Sequence, residues 1–320
     1  MRVLVTGASG FVGSTLCQVL VESGYIVRAA LRREKPLPQY IAERVVVGDI
    51  AGIIDWQSSL SGVDAVVHAA ARAHVLHDSP DGEKSYIASN AHATRQLAEA
   101  AARAGVRRFI YVSSIKVNGE ETAGFAYRPT DVPNPRDAYG VSKLLGEQAV
   151  LEATALSGME AAIVRPPLVY GPGVRANFLR LMHWVDAGRP LPLGSVGNRR
   201  SLVSIWNLCD LLERLLRDPL PTGRVWLVSD AEDLSTPELI RRLGAAMGRR
   251  VRLLPVPTRL LQAGAALLGM QAEAARLCGS LAVDISSTRD DLGWSPPVTV
   301  AESLARTVRW YVAECAAHGR

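Results

Sequence analysis

Apolar residues fall along the first half of the chain in short, nearly continuous runs, at 3–5, 26–31, 45–47, 65–68, 109–112 and 161–164, rich in β-branched side chains. Runs of that length without polar alternation predict strands buried on both faces. Between them, residues 14–22, 83–104 and 138–155 repeat apolar positions with a helical period. Strand–helix alternation of this kind predicts a doubly wound parallel sheet in an α/β fold. After Arg165 the rhythm changes. Pro166, Pro167, Pro172, Pro190 and Pro192 surround one helical pattern at 177–187. A strand-like 202–205, a helix from Trp206, a strand at 224–228 and a mainly helical remainder follow. The expected division is a sheet domain over 1–168, with 201–229 returning to it, and a smaller, mainly helical cap from 169–200 and 230–320. Substrate would lie in the cleft between them. The apolar stretch 260–270 is too short to span a bilayer and predicts a packed helix.

Composition narrows the class. Hydrophobic residues make up 48% and charged residues 21% of 320 positions, as in an ordinary globular protein. The net charge is +5 and only four of 36 basic residues are lysine. No run of like charges offers a nucleic-acid stripe, while a mild positive surplus suits a phosphate-bearing small substrate. Cys17, Cys209, Cys278 and Cys315 lack metal-ligand or disulfide spacing and read as reduced structural thiols. With neither a signal-peptide pattern nor a spanning segment, the expectation is a cytoplasmic protein with no metal and no membrane insertion.

Residues 3–13 carry the first chemistry. A strand runs into Gly7, Gly10 and Gly13, with Ser9, Phe11 and Val12 between them, and a helix follows at once. Glycines so placed allow a tight turn and close approach of backbone to a pyrophosphate at the helix N-terminus; a purely structural turn is the alternative. The second strand ends Leu31-Arg32-Arg33, without the acid that would bind a ribose 2′-hydroxyl. Arg32 and Arg33 are either solvated surface groups or a clamp for a 2′-phosphate, which favours NADP(H) without excluding NAD(H). Asp49, ending the third strand, is a candidate for the adenine edge, with Ile50 beside it.

Tyr139 and Lys143 stand four apart, on one face of a helix. A phenol with an ordinary pKa of about 10 is a poor base at neutral pH. A neighbouring ammonium would favour the phenolate and let it exchange a proton with a carbinol oxygen. Upstream, the strand at 109–112 delivers Ser113 and Ser114 to the carboxyl edge of the sheet, where open α/β sheets bind ligands. Ser114 would hydrogen-bond the substrate oxygen. The alternative is a serine-rich turn beside an exposed tyrosine.

Taken together, Gly7/Gly10/Gly13, Asp49-Ile50, His68-Ala69-Ala70, Asn90, Ser113-Ser114, Tyr139/Lys143 and Arg165-Pro166 with Tyr170-Gly171-Pro172 resemble the extended short-chain dehydrogenase/reductase family, the NAD-dependent epimerase/dehydratase group. The resemblance covers essentially the whole chain and implies a Rossmann-type sheet. It implies that Ser114, Tyr139 and Lys143 are catalytic, with Lys143 also bonding the nicotinamide ribose. Ala69, Ala70, Ala71, Asn90, Ser113 and Pro166 would line the cofactor. His68 reads as a core histidine.

For the substrate, the resemblance points to a UDP-sugar. Asn177-Phe178 and Arg200 match positions that hold the diphosphate in nucleotide-sugar members, although a helix cap and a surface arginine remain the plain alternative. Leu193 would flank the base, and Lys116 the sugar. Arg276 is only near the place of a further arginine. Dehydratases carry an acidic pair where this chain has Ile115-Lys116. Epimerases commonly carry an acid and an asparagine where it has Leu31 and Leu168. The closest likeness is to 4-keto reductases of surface-polysaccharide (O-antigen) pathways. The leading expectation is therefore reduction of the C4 keto group of a UDP-2-acetamido-2,6-dideoxy-hexos-4-ulose. Alternatives are a UDP-hexose 4-epimerase with tightly bound NAD, a hydroxysteroid or other ketone dehydrogenase, and a non-catalytic NADP-binding sensor. A homodimer through a two-helix face is implied by the family alone.

Overall fold

The computed structural model describes residues 1–72, 80–219 and 221–317. Strands β1 (Arg2–Thr6), β2 (Ile26–Leu31), β3 (Glu43–Val46), β4 (Ala65–His68), β5 (Arg108–Val112) and β6 (Glu160–Arg165) fall on the six apolar runs. With β9 (Arg224–Leu227) they form one parallel sheet in the order β3-β2-β1-β4-β5-β6-β9. The register is direct: Val3 pairs with Val27 on one side and Ala65 on the other. The order reverses beside β1, and that crevice at the carboxyl edge is where such sheets bind ligands. Val3–Val5, Ala65–Val67 and Phe109–Tyr111 are fully buried because helices cover both faces.

On one face pack α1 (Phe11–Glu22) and α7 (Ile205–Arg217). On the other lie α2 (Gln57–Leu60), α4 (Ala93–Arg103) and α5 (Ala138–Ala155). The helix expected over 83–104 is α3 (Pro80–Tyr86) joined to α4 through a π-helical turn, Ile87–His92. Strand β8 (Leu202–Ser204) pairs with β7 (Leu168–Tyr170) in a separate two-stranded sheet. Pro166 and Pro167 offer no N–H donors, so the chain leaves the main sheet after β6.

A third apolar cluster gathers Tyr170, Phe178, Met182, Ile240 and Leu304. It joins α6 (Ala176–Asp186), α8 (Thr236–Met247) and α12 (Val300–Ala317). Helices α9 (Thr258–Leu267), α10 (Gln271–Cys278) and α11 (Ser286–Leu292) complete the chain. The helix expected over 260–270 forms as α9 and rests on the third cluster through Leu261, but it packs lightly: no residue of α9 or α10 is fully buried. An apolar run without clear periodicity does not say which way it faces.

Candidate active site

The turn after β1 is built for close approach. Gly7 has φ +70°, and a Cβ there would lie 2.8 Å from the Ala70 nitrogen. A Cβ on Gly13 would lie 2.0 Å from the Gly7 oxygen, so only glycine fits. Gly10 N–H donates to the Gly7 carbonyl at 2.8 Å. No side chain among the described residues caps the N-terminus of α1. Its first N–H groups are left for an anion, and the cradle fits a dinucleotide pyrophosphate. A cavity of about 130 Å³ opens beside it, lined by Ala8, Ser9, Ser14, Lys35 and Tyr40 among others. Phe11 and Val12 are half-buried at the start of α1.

Arg32 pairs with Asp49 at 2.5 Å, both side chains exposed. The two groups assigned separately to a phosphate and to adenine thus meet each other at the surface. Arg33 is exposed, with no ion-pair partner among the described residues. Ile50 packs on the apolar cluster behind it. Ala69 and Ala70 are half-buried and Ala71 exposed along the mouth of the crevice. His68 lies between the hydroxyls of Thr6 (2.6 Å) and Thr94 (3.0 Å). Burial, then Lys143, pushes its pKa down to about 3, so it is a neutral core group.

Asn90 sits in the π-helical turn with zero exposure. Its amide accepts from the Arg72 nitrogen at 2.8 Å and donates to the Arg72 oxygen at 3.0 Å. It also donates to Ser142 Oγ at 3.0 Å. It therefore ties the segment after β4 to α5 and shapes the crevice through backbone. Its side-chain groups are taken up by the protein.

Asp137 caps α5, accepting from Gly140 N–H at 2.7 Å, and so places Tyr139 in the first turn. Burial pushes the Tyr139 phenol up to about 12, a hydrogen bond with Ser114 works the other way, and Tyr86 meets its ring edge-on at 5.8 Å. One turn on, Lys143 is 1% exposed. Its ammonium donates to the Val112 carbonyl at 2.7 Å and lies 4.2 Å over the Tyr111 ring. Burial draws its pKa down to about 7, with Glu147 opposing. Lys143 thus shares a helix face with Tyr139 while its amine is held by the Val112 carbonyl of β5.

Glu147 continues the same helix face and was not foreseen, although 139, 143 and 147 share the i, i+4 spacing. It forms a buried pair with Arg165, each side chain 3% exposed, at 2.6 and 2.8 Å. Arg165 also donates to Asn118 at 2.9 Å. Ser113 Oγ donates to Glu147 at 2.5 Å, which ties its hydroxyl into this network. The Pro166 carbonyl accepts from Ile115 N–H at 3.0 Å, holding the Ser114 turn against β6.

On the sugar side, Lys116 is not free: it pairs with Asp137 and, at 2.9 Å, with Glu120. Burial works against its charge, but these carboxylates hold its pKa above the usual lysine value. Ala176, at φ +53°, makes a strained turn directly before Asn177. Asn177 is exposed and accepts from Arg180 at 2.5 Å. Phe178 is 1% exposed and stacks on Tyr170 at 5.3 Å, so its ring belongs to the apolar cluster beside the cleft. Leu193 is buried in the same cluster. Arg200 donates to the Gly279 carbonyl at 2.9 Å. Burial lowers its pKa and Glu121 opposes this. Asn198, also unforeseen, donates to the carbonyls of Leu277 and Gly279 and so fixes the end of α10 beside Arg200. Arg276 is exposed on α10 with no ion-pair partner among the described residues. No group of three or more His, Cys, Asp or Glu is placed to hold a metal among the described residues. No described helix is long and apolar enough to cross a membrane.

A Rossmann-type sheet, an uncapped glycine turn and a Ser–Tyr–Lys set at one edge define a dinucleotide-dependent enzyme of the short-chain type. Residues 3–228 match the NAD dependent epimerase/dehydratase family, and the chain belongs to it. It is 42% identical over 314 residues to a UDP-glucose 4-epimerase of Vibrio cholerae, covering 97% of this chain and 95% of that one. Among solved structures, a UDP-glucuronic acid 4-epimerase from Bacillus cereus in complex with NAD is similar at TM-score 0.79 and 25% identity, covering 98% and 99% of the two chains. MoeE5 in complex with UDP-glucose and NAD is similar at TM-score 0.79 and 27% identity, with the same coverage.

Proposed function

We propose that the protein is a UDP-hexose 4-epimerase that keeps NAD bound through oxidation and re-reduction of the sugar C4. The observation that carries this is the 42% identity to a UDP-glucose 4-epimerase along almost the whole chain. The Arg32–Asp49 pair supports NAD over NADP: it neutralises one candidate clamp and sets at the cofactor edge the carboxylate that β2 lacks. Bound NAD supplies a hydride acceptor and donor for the carbinol carbon. The pyrophosphate rests on the turn from Gly7 to Gly13. Asp49, Ile50, Ala69 and Ala70 border the rest. Ser114 hydrogen-bonds the C4 oxygen and Tyr139 exchanges its proton. Lys143, poised near neutral pH, provides or withdraws positive charge one turn away. Asn177 and Arg200 face the diphosphate in the cleft between the sheet domain and the cap.

The 4-keto reductase is the second reading. Arg33, free of ion-pair partners among the described residues, favours it by offering a site for a 2′-phosphate. The two part in one assay. An epimerase interconverts UDP-glucose and UDP-galactose with no coenzyme added. A reductase leaves both untouched and oxidises NADPH with a UDP-4-keto-6-deoxy sugar. The second outcome overturns the proposal.

A further inference from the structure

The α9–α10 hairpin rests on the third cluster through Leu261 and Cys278 and turns its larger remaining apolar side chains of α9 and the turn outward. Leu260 is 63% exposed, Leu267 89%, Leu268 75% and Met270 44%. Leu260 and Leu267 are seven residues apart, on one face of α9, with Arg259 and Ala263 adjoining them on the same arc. Water gains nothing from such a surface, and contiguous exposed apolar area marks an interaction site.

Charge says what covers it. From 249 to the end of α9 the sequence carries Arg249, Arg250, Arg252 and Arg259 and no acid, and α10 adds one charge of each sign, Glu273 and Arg276. Most arginines elsewhere are ion-paired, for example Arg2, Arg28, Arg108 and Arg165. Here only Arg249 is, through Asp186 at 3.1 Å; Arg250, Arg252 and Arg259 have no ion-pair partner among the described residues. The segment leading into the hairpin is anchored: Leu191 N–H donates to the Arg252 carbonyl, and Gly194 N–H to that of Leu254, each at 2.9 Å. A second copy of the chain would set arginine against arginine. An anionic lipid surface takes both features at once, leucines into the headgroup boundary and guanidiniums onto phosphate.

We propose that the α9–α10 hairpin docks the protein on anionic membranes, lying in the interface without spanning it. The hairpin is tied by 252–254 to the loop that carries Leu193, so docking would hold the substrate cleft close to the bilayer surface. The proposal is independent of which sugar reaction the site performs.

The full-length protein is sedimented with vesicles of phosphatidylcholine alone and of phosphatidylcholine mixed with phosphatidylglycerol. The wild type partitions to the mixed vesicles and is released by salt, each arginine contributing about fivefold. Leu260→Glu/Leu267→Glu and Arg252→Glu/Arg259→Glu lose that partitioning, by more than about tenfold each. Both keep the soluble activity, since none of these residues belongs to the site. Circular dichroism confirms that the variants fold. Equal recovery with both vesicle types, no binding, or variants that bind like the wild type overturns the proposal. So does a wild-type dimer in light scattering that Leu260→Glu/Leu267→Glu dissolves, since a second copy would then cover the face.

Discussion

Replacing Lys143 by methionine keeps the length of the side chain and removes the amine that titrates. In the folded protein that amine has a pKa of about 7 against an ordinary 10.5, mainly because it is buried. A base whose pKa is depressed on folding penalises the fold wherever it must be charged. The penalty is complete below the folded pKa and vanishes above the unfolded one. At about 1.4 kcal/mol per unit, the full penalty is about 4–5 kcal/mol. Between pH 7 and pH 9 the wild type therefore regains about 2 kcal/mol that the methionine variant cannot regain. Unfolding entropy near 2.1 cal/mol/K per residue gives about 0.7 kcal/mol/K for a chain of this length, so the wild type should gain about 3 °C in Tm on the variant across that interval. His68, which Lys143 also pushes down, stays neutral in the wild type across this interval because burial is the larger cause, and groups that Lys143 does not touch titrate alike in both proteins and cancel. The lost bond to the Val112 carbonyl and the lost contact with Tyr111 offset the curves without tilting them. Scanning calorimetry of both proteins at the two pH values measures the tilt. A constant Tm difference, or one that moves in the variant's favour with rising pH, refutes the assignment of a buried amine titrating near neutrality.

Three other substitutions test separate parts of the site. Tyr139→Phe should retain the wild-type Tm within a degree or two and lose about 10²–10⁴-fold in turnover, read by steady-state kinetics. Gly13→Ala places a methyl group against the Gly7 carbonyl; it should cost about 1–3 kcal/mol in denaturant unfolding and strip nicotinamide nucleotide from the purified protein. Glu147→Gln leaves the Arg165 guanidinium buried without its counter-charge and should cost about 3–5 kcal/mol, whereas Glu147→Leu with Arg165→Met should recover most of that loss.

The sheet was legible because each strand is a short apolar run flanked by helical periods, and burial on both faces leaves no other reading for Val3–Val5 or Phe109–Val112. The glycine turn and α5 were legible for a related reason: Gly7, Gly13 and the Tyr139/Lys143 spacing act locally, within one turn or one helix. What stayed hidden depends on residues far apart in sequence. Glu147 and Arg165 lie on different elements, and nothing local marks them as partners. Arg32 and Asp49 were each noticed, but their contact arises only when β2 and β3 pair. Lys143 was placed beside Tyr139 by helical spacing, yet its rotamer answers to the Val112 carbonyl on β5. Phe178 and Leu260 show the same limit in opposite directions, since an apolar residue on a helix can face the core or water.

The C4 chemistry is tested most directly with UDP-galactose deuterated at C4, incubated in ordinary water with the purified protein and no added coenzyme. A 4-epimerase holding NAD should give UDP-glucose with the deuterium retained at C4, approaching the same equilibrium mixture from either sugar. Product that has lost its deuterium to solvent, or no product from enzyme that carries its nucleotide, contradicts it.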